Sequence, residues 1–173
     1  MQLITSRLIL RPVQDYDLAR LFAIYSDPAT NQFNPNGPMS DISQATLMLE
    51  GWLHQCRVNG FGQWAIATRD CPQRIIGFGG VAMMNYLKVE RANLGYRFEV
   101  PAWGQGYATE LGVAALDWGL NQLELPAIYG LVRPNHSASI RVLEKIGMQR
   151  IDVLDDVAGQ APSYVYRISR SST

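Results

Sequence analysis

The chain has 173 residues, 47% hydrophobic and 17% charged, and its 15 basic and 15 acidic side chains leave no formal net charge. That is enough apolar material for one well-buried core, and no Pro/Ser/Gly-rich stretch or charge run splits it, so a single domain is expected over residues 1–173. Balanced charge excludes the positive excess that nucleic acids demand, and no apolar run approaches the ~20 residues that span a bilayer. The expectation is a cytoplasmic protein with neither a nucleic-acid nor a membrane partner. Cys56 and Cys71 are expected as free thiols, and two histidines and two cysteines without ligand spacing give no metal site.

In chain order, Leu8 to Arg11 reads as a strand. Asp15 to Tyr25 reads as a helix, with Leu18, Leu21, Phe22 and Tyr25 at helical spacing and Pro28 as its stop. Pro28 to Met39 is a loop in which Asn31, Asn34, Pro35, Asn36, Gly37 and Pro38 surround Phe33, an aromatic side chain that needs either core or ligand. This loop is a candidate substrate lip, with Phe33 and Asn34 as contacts. Ser40 is placed to cap a helix to about Val58 that Asn59-Gly60 stops.

Gln63 to Thr68, Ile75 to Met84 and Ala92 to Phe98 lack helical period and suit neighbouring antiparallel strands. Gly77, Gly79 and Gly80 fit a bulge or close packing better than a nucleotide loop, because no helix follows them. Tyr107 to Leu123 is a central helix with small Gly112, Ala114 and Gly119 on it, followed by a strand at Ala127 to Val132. Ser137 is placed to cap a shorter helix closed by Gly147, and Met148 to Val153 and Tyr164 to Ser169 supply the last strands.

The most informative stretch is Trp103-Gly104-Gln105-Gly106-Tyr107-Ala108-Thr109-Glu110. Two glycines let the main chain bend so that several N–H groups share one concavity, and the helix that follows adds its own unpaired N–H groups and positive dipole end. That is a recipe for holding a pyrophosphate. A dinucleotide fold would want a third glycine where Thr109 stands and an acidic residue about twenty positions on.

This stretch, the preceding run Ala92 to Phe98 and the later run Asn135 to Met148 together resemble the GNAT superfamily of N-acetyltransferases. The opening Thr5-Ser6-Arg7-Leu8-Ile9-Leu10-Arg11-Pro12 resembles specifically the branch containing the ribosomal-protein N-terminal acetyltransferases, and the likeness runs from about residue 5 to about residue 168. The resemblance implies an α/β (α+β) domain: a mixed, mostly antiparallel sheet of about 6–7 strands splayed at the cofactor site, flanked by about four helices. It also implies acetyl-CoA as cosubstrate. Pantetheine would bond to main-chain groups near Phe98, Glu99 and Val100, and the pyrophosphate would meet the amides of Gly104, Gln105, Gly106, Tyr107, Ala108 and Thr109. Trp103 either joins that site or packs against the base of the loop. Asn135, His136, Ser139 and Lys145 complete the implied cofactor set.

The chain departs from its relatives where acid and base would sit. Many carry a glutamate at the position of Asn93, acting through water as general base; asparagine can only orient water or amine, so base work would fall to Glu90, Glu99 or solvent. Many carry a tyrosine where Leu143 stands, as the acid for the leaving thiolate, and Ser139 is the replacement implied by the named branch. Relatives space an asparagine three residues before this serine. Here Asn135 is four before it and His136 takes the expected slot, so either residue is left as the pantetheine contact.

The leading expectation is an acetyl-CoA-dependent N-acetyltransferase that transfers acetyl directly, in a ternary complex, to a protein N-terminus or small amine. The Asn31 to Met39 loop, the Tyr86 turn and the Asp155 to Tyr164 segment would shape the acceptor pocket. A CoA-binding sensor or scaffold without turnover is the alternative, and a homodimer is common among relatives.

Overall fold

The computed structural model describes residues 1–172. Its longest ladder joins β4 (Cys71–Tyr86) to β5 (Val89–Phe98) as an antiparallel hairpin, in register from Gly77↔Phe98 to Tyr86↔Val89. On one side of the hairpin lie β3 (Trp64–Thr68), β2 (Leu8–Pro12) and β1 (Leu3–Ile4), all antiparallel. On the other lie β6 (Ala127–Val132), β8 (Ser163–Ser169) and β7 (Gln149–Leu154). The sheet has eight strands in the order β1-β2-β3-β4-β5-β6-β8-β7. β1 is the strand beyond the expected count; two residues are too short to show a period. β5 and β6 run parallel and meet at a single register pair, Asn93↔Tyr129.

Strand alternation sends successive side chains to opposite faces, so each face has its own core. Helices α1 (Leu18–Tyr25) and α2 (Ile42–Asn59) bury Leu21, Ile24, Ala45 and Leu49 against Phe78, Ala65 and Ala67. Helices α3 (Tyr107–Asp117) and α4 (Ser137–Lys145) bury Leu111, Ala115 and Leu143 against Leu94, Phe98 and Ile128 on the other face. Small residues on the central helix allow close approach, Gly119 to the sheet and Gly112 to α4: a Cβ on Gly119 would stand 2.6 Å from Ile128 Cδ1 on β6, and one on Gly112 2.8 Å from Ile146 Cδ1 at the end of α4.

Three local expectations are corrected. Asp41, not Ser40, caps α2, its carboxylate accepting from the Ser43 N–H at 2.7 Å. His136, not Ser137, caps α4. The central α-helix ends at Asp117 and continues as a π-turn over Trp118–Gln122, closed by Leu123 N–H donating to the Trp118 carbonyl. No helix among the described residues is long and apolar enough to cross a membrane.

Candidate functional site

After β5 the chain makes a single 3-10 turn at Val100–Ala102, then passes through Gly104 and Gly106 at φ +73° and +80° before α3 begins. These are left-handed conformations that cost a side chain about 1–2 kcal/mol, which is why glycine stands at both. Among the described residues, no N–H from Gly104 to Thr109 donates to a protein acceptor; the first bond of the helix is Glu110 N–H to the Gly106 carbonyl, at 3.1 Å. Six successive amides at a helix N-terminus are thereby left for an anion. Thr109, in the first turn of α3, is half-buried.

The one acid in the first turn of α3 is held back from this site. Glu110 accepts from the Thr5 hydroxyl at 2.5 Å and from the Arg7 main-chain N–H and Nε at 2.8 Å each. Burial pushes its carboxyl up, but these hydrogen bonds outweigh it and hold the pKa below the usual carboxylate range. The same guanidinium donates to the Gln105 carbonyl at 2.7 Å and lies 4.7 Å from the centroid of the Tyr107 ring. Arg7 thus ties the start of β2 to the loop and offsets the charge of Glu110 there. Sequence reading used it only as part of a family motif, because its partners are about a hundred residues away. An open cleft of about 580 Å³ adjoins the loop, lined by Arg7, Gly106, Thr109, Glu110 and Lys145 among others. Two residues of the loop turn elsewhere: Gln105 Nε2 donates to the Pro101 carbonyl at 3.1 Å, and Trp103 Nε1 to the Phe98 carbonyl at 2.9 Å.

The expected free edge shifts by two residues. Glu99 N–H donates to the Ile76 carbonyl at 2.9 Å and the Phe98 carbonyl is taken by Trp103, so neither is open to pantetheine. Because Glu99 faces β4, alternation turns the main-chain groups of Tyr96 and the Phe98 N–H toward β6, beyond the single pair where that ladder ends. The side chain of Tyr96 lies on the α3/α4 face, and its hydroxyl is 2.9 Å from Ser139 Oγ on α4. Leu143 is a core residue, 3% exposed.

On the opposite face, the Asn93 side-chain oxygen accepts from the Tyr86 hydroxyl. That leaves the Asn93 amide nitrogen as the free end, a donor. Tyr86 is 3% exposed and its hydroxyl is spent on Asn93, which corrects its reading as a direct substrate contact. The Arg91 guanidinium covers the Tyr129 ring at 4.4 Å, and Arg97 covers Tyr25 at 4.2 Å. Glu99 is likewise corrected as a base. Its two oxygens accept from Arg20 and from both Arg74 nitrogens, so it is a buried ion-paired carboxylate. Glu90 is exposed near the hairpin end.

At the start of α4, His136 Nδ1 accepts a long 3.4 Å bond from Ser139 N–H, and its ring stacks on Phe33. Burial pushes the imidazole pKa down, so the neutral form with its proton on Nε2 is favoured. Asn135 is exposed. Asn34 is spent inside the lip: its nitrogen donates to Asn31 Oδ1 and the Gly37 carbonyl, and its oxygen accepts from Asn36 N–H. Asn31 in turn accepts from Arg97 at 2.8 Å, fastening the lip to β5.

Residues 7–149 match the family model described as "Acetyltransferase (GNAT) domain". The chain is 32% identical over 152 residues to the uncharacterized N-acetyltransferase YoaA of Bacillus subtilis (strain 168), covering 87% of this chain and 84% of that protein. Its fold matches an acetyltransferase from Agrobacterium tumefaciens str. C58 with a TM-score of 0.82 at 27% identity, over 97% and 94% of the two chains. It also matches spermidine N-acetyltransferase from Vibrio cholerae, solved in complex with CoA and spermine, with a TM-score of 0.76 at 19% identity, over 96% and 97%.

Proposed function

We propose, from the premise that this chain belongs to the GNAT acetyltransferase family and is an N-acetyltransferase, that it moves acetyl from acetyl-CoA directly to a primary amine within a ternary complex. The observation that carries this reading is the row of unpaired amides from Gly104 to Thr109. A diphosphate fits it: the site offers main-chain donors, a helix N-terminus and the remaining N–H groups of the Arg7 guanidinium, and the acid in its first turn, Glu110, is already paired with that guanidinium. Lys145, exposed across the adjoining cleft, is a second cation for the phosphates at the nucleotide end.

The bound thioester supplies an activated acetyl group and a thiolate leaving group. The main-chain edge at Tyr96 and Phe98 pairs with pantetheine amides as an added strand would, leading the thioester into the gap between β5 and β6. The N–H groups at the end of β5 then stabilise the carbonyl oxygen as it becomes negative. The acceptor amine approaches from the Asn93 face, between the Asn31 to Met39 lip and the Asp155 to Tyr164 segment. Asn93 orients it or its water but takes no proton, so water receives the proton that the amine loses.

The cysteines support the direct-transfer reading. Cys56 packs at the end of α2 against Gly62 with its thiol pushed up by burial, and Cys71 lies at the β3–β4 turn. A raised thiol makes Cys56 a poor nucleophile at neutral pH.

The test is calorimetry with CoA, followed by thiol release from acetyl-CoA in the presence of spermidine, other small amines and a library of N-terminal peptides. Micromolar CoA affinity and turnover with at least one amine are expected. Folded protein with no affinity for CoA overturns the reading. Affinity without turnover across the panel replaces it with a CoA-binding sensor.

A further inference from the structure

We propose that Tyr96 is a catalytic residue of this acetyltransferase, its hydroxyl donating the hydrogen bond that stabilises the departing thiolate, with Ser139 holding that hydroxyl in position. The inference rests on the acetyl-transfer reading above and adds a residue that sequence reading had left among the strand-formers. Its basis is geometry. Tyr96 stands on β5 three residues past Asn93, the last residue paired with β6, and its hydroxyl reaches Ser139 on α4 at 2.9 Å. That hydrogen bond joins β5 to α4 on the α3/α4 face of the sheet, beside the gap between β5 and β6 into which the main-chain edge at Tyr96 and Phe98 guides pantetheine.

The chemistry suits a donor more than an acid. The amine nitrogen forms the new bond to the acetyl carbon, the carbon–sulfur bond breaks, and its electron pair leaves on sulfur. The proton lost by the amine goes to water, and the thiolate takes one from solvent as CoA departs. An ordinary thiol has a pKa near about 8.5 and a phenol near about 10, so full transfer from tyrosine to the thiolate runs uphill. Burial pushes the Tyr96 hydroxyl further up, with the Ser139 hydrogen bond opposing. Tyr96 therefore keeps its proton and shares it. With Ser139 donating to the phenolic oxygen, the chain Ser139 to Tyr96 to sulfur is cooperative. Leu143, on the same helix one turn on, has no hydrogen to give.

The test uses the intact chain and two independent readouts. First, the pKa of the CoA thiol in the binary complex is measured from thiolate ultraviolet absorbance, for wild type, Tyr96→Phe and Ser139→Ala. The bound thiol should titrate below free CoA in wild type, and close to free CoA in Tyr96→Phe, with CoA affinity changed less than about threefold. Second, kcat should fall roughly 10- to 100-fold in Tyr96→Phe, by less in Ser139→Ala, and no further in the double variant, the size expected for losing one transition-state donor. An unchanged thiol pKa in Tyr96→Phe, or an unchanged kcat, overturns the role of Tyr96 while acetyl transfer stands. Wild type that binds CoA with a lowered thiol pKa yet acetylates no amine keeps the thiol contact and overturns catalysis. A thermal melt of each variant within a few degrees of wild type excludes misfolding as the cause.

Discussion

The rings of Phe33 and His136 lie stacked, with 4.0 Å between centroids and 18° between planes, joining the lip after α1 to the cap of α4. The contact holds the Asn31 to Met39 loop against the start of α4 through one aromatic pair. It also explains why the lip carries an aromatic residue amid turn-forming ones: its partner is the imidazole that caps α4.

This pairing makes stability depend on pH. Burial lowers the His136 pKa, so between that value and about 6.5 the unfolded chain binds a proton that the folded chain does not. The His136 contribution is fully present above about pH 6.5 and is lost as pH falls through the folded pKa. Urea unfolding at pH 7.5 and 5.5 should show lower stability at the acid value, and a smaller difference between the two in His136→Asn. An identical pH dependence in the variant would remove this account.

The glycine at 106 is required by the backbone, at φ +80°, and lies in the proposed diphosphate site. Gly106→Val forces a β-branched side chain to φ +80° and brings it 3.4 Å from the Arg7 guanidinium. CoA affinity measured by calorimetry should weaken by roughly tenfold or more, with a loss of about 1–2 kcal/mol in unfolding free energy. Arg7→Met leaves the turn geometry unstrained and should raise KM for acetyl-CoA while leaving kcat within about twofold, because Arg7 grips the ground state and transition state alike.

For Glu99, stability and catalysis should separate. Glu99→Gln leaves Arg20 and Arg74 without their shared carboxylate and should cost about 1–3 kcal/mol in denaturant unfolding. Turnover per folded molecule should stay within about twofold of wild type. A hundredfold fall in kcat with unchanged stability would restore Glu99 as a base.

Tyr86→Phe should act through its neighbour. Losing the phenol frees the Asn93 amide to rotate, so kcat/KM for the amine should fall about tenfold while CoA affinity is unchanged. Equal loss in CoA binding and amine turnover would mean that the hairpin itself had moved.

Much of this was readable from local chemistry. Glycines 104 and 106, the apolar spacing on α3 and the sequence of strand-like runs depend on backbone preferences expressed within a few residues, and the structure repeats them. Helix caps were misread by one residue at Ser40 and Ser137, since a cap is chosen by whichever side chain meets the free N–H, and Asp41 and His136 met it first. Conversely, the roles of single polar residues were not readable. Glu99 seemed as good a base as Glu90 until Arg20 and Arg74 closed on it from other elements. Arg7 and Glu110, and Tyr96 and Ser139, are brought together only by sheet register and helix placement. Chain order alone therefore specifies that a glycine turn with free amides feeds a helix beside a strand, because glycine conformation and apolar period are short-range properties. Which side chains hold, neutralise or face the reacting atoms is set when strands pair, because hydrogen bonding and charge act through distance in space and carry no trace of separation along the chain.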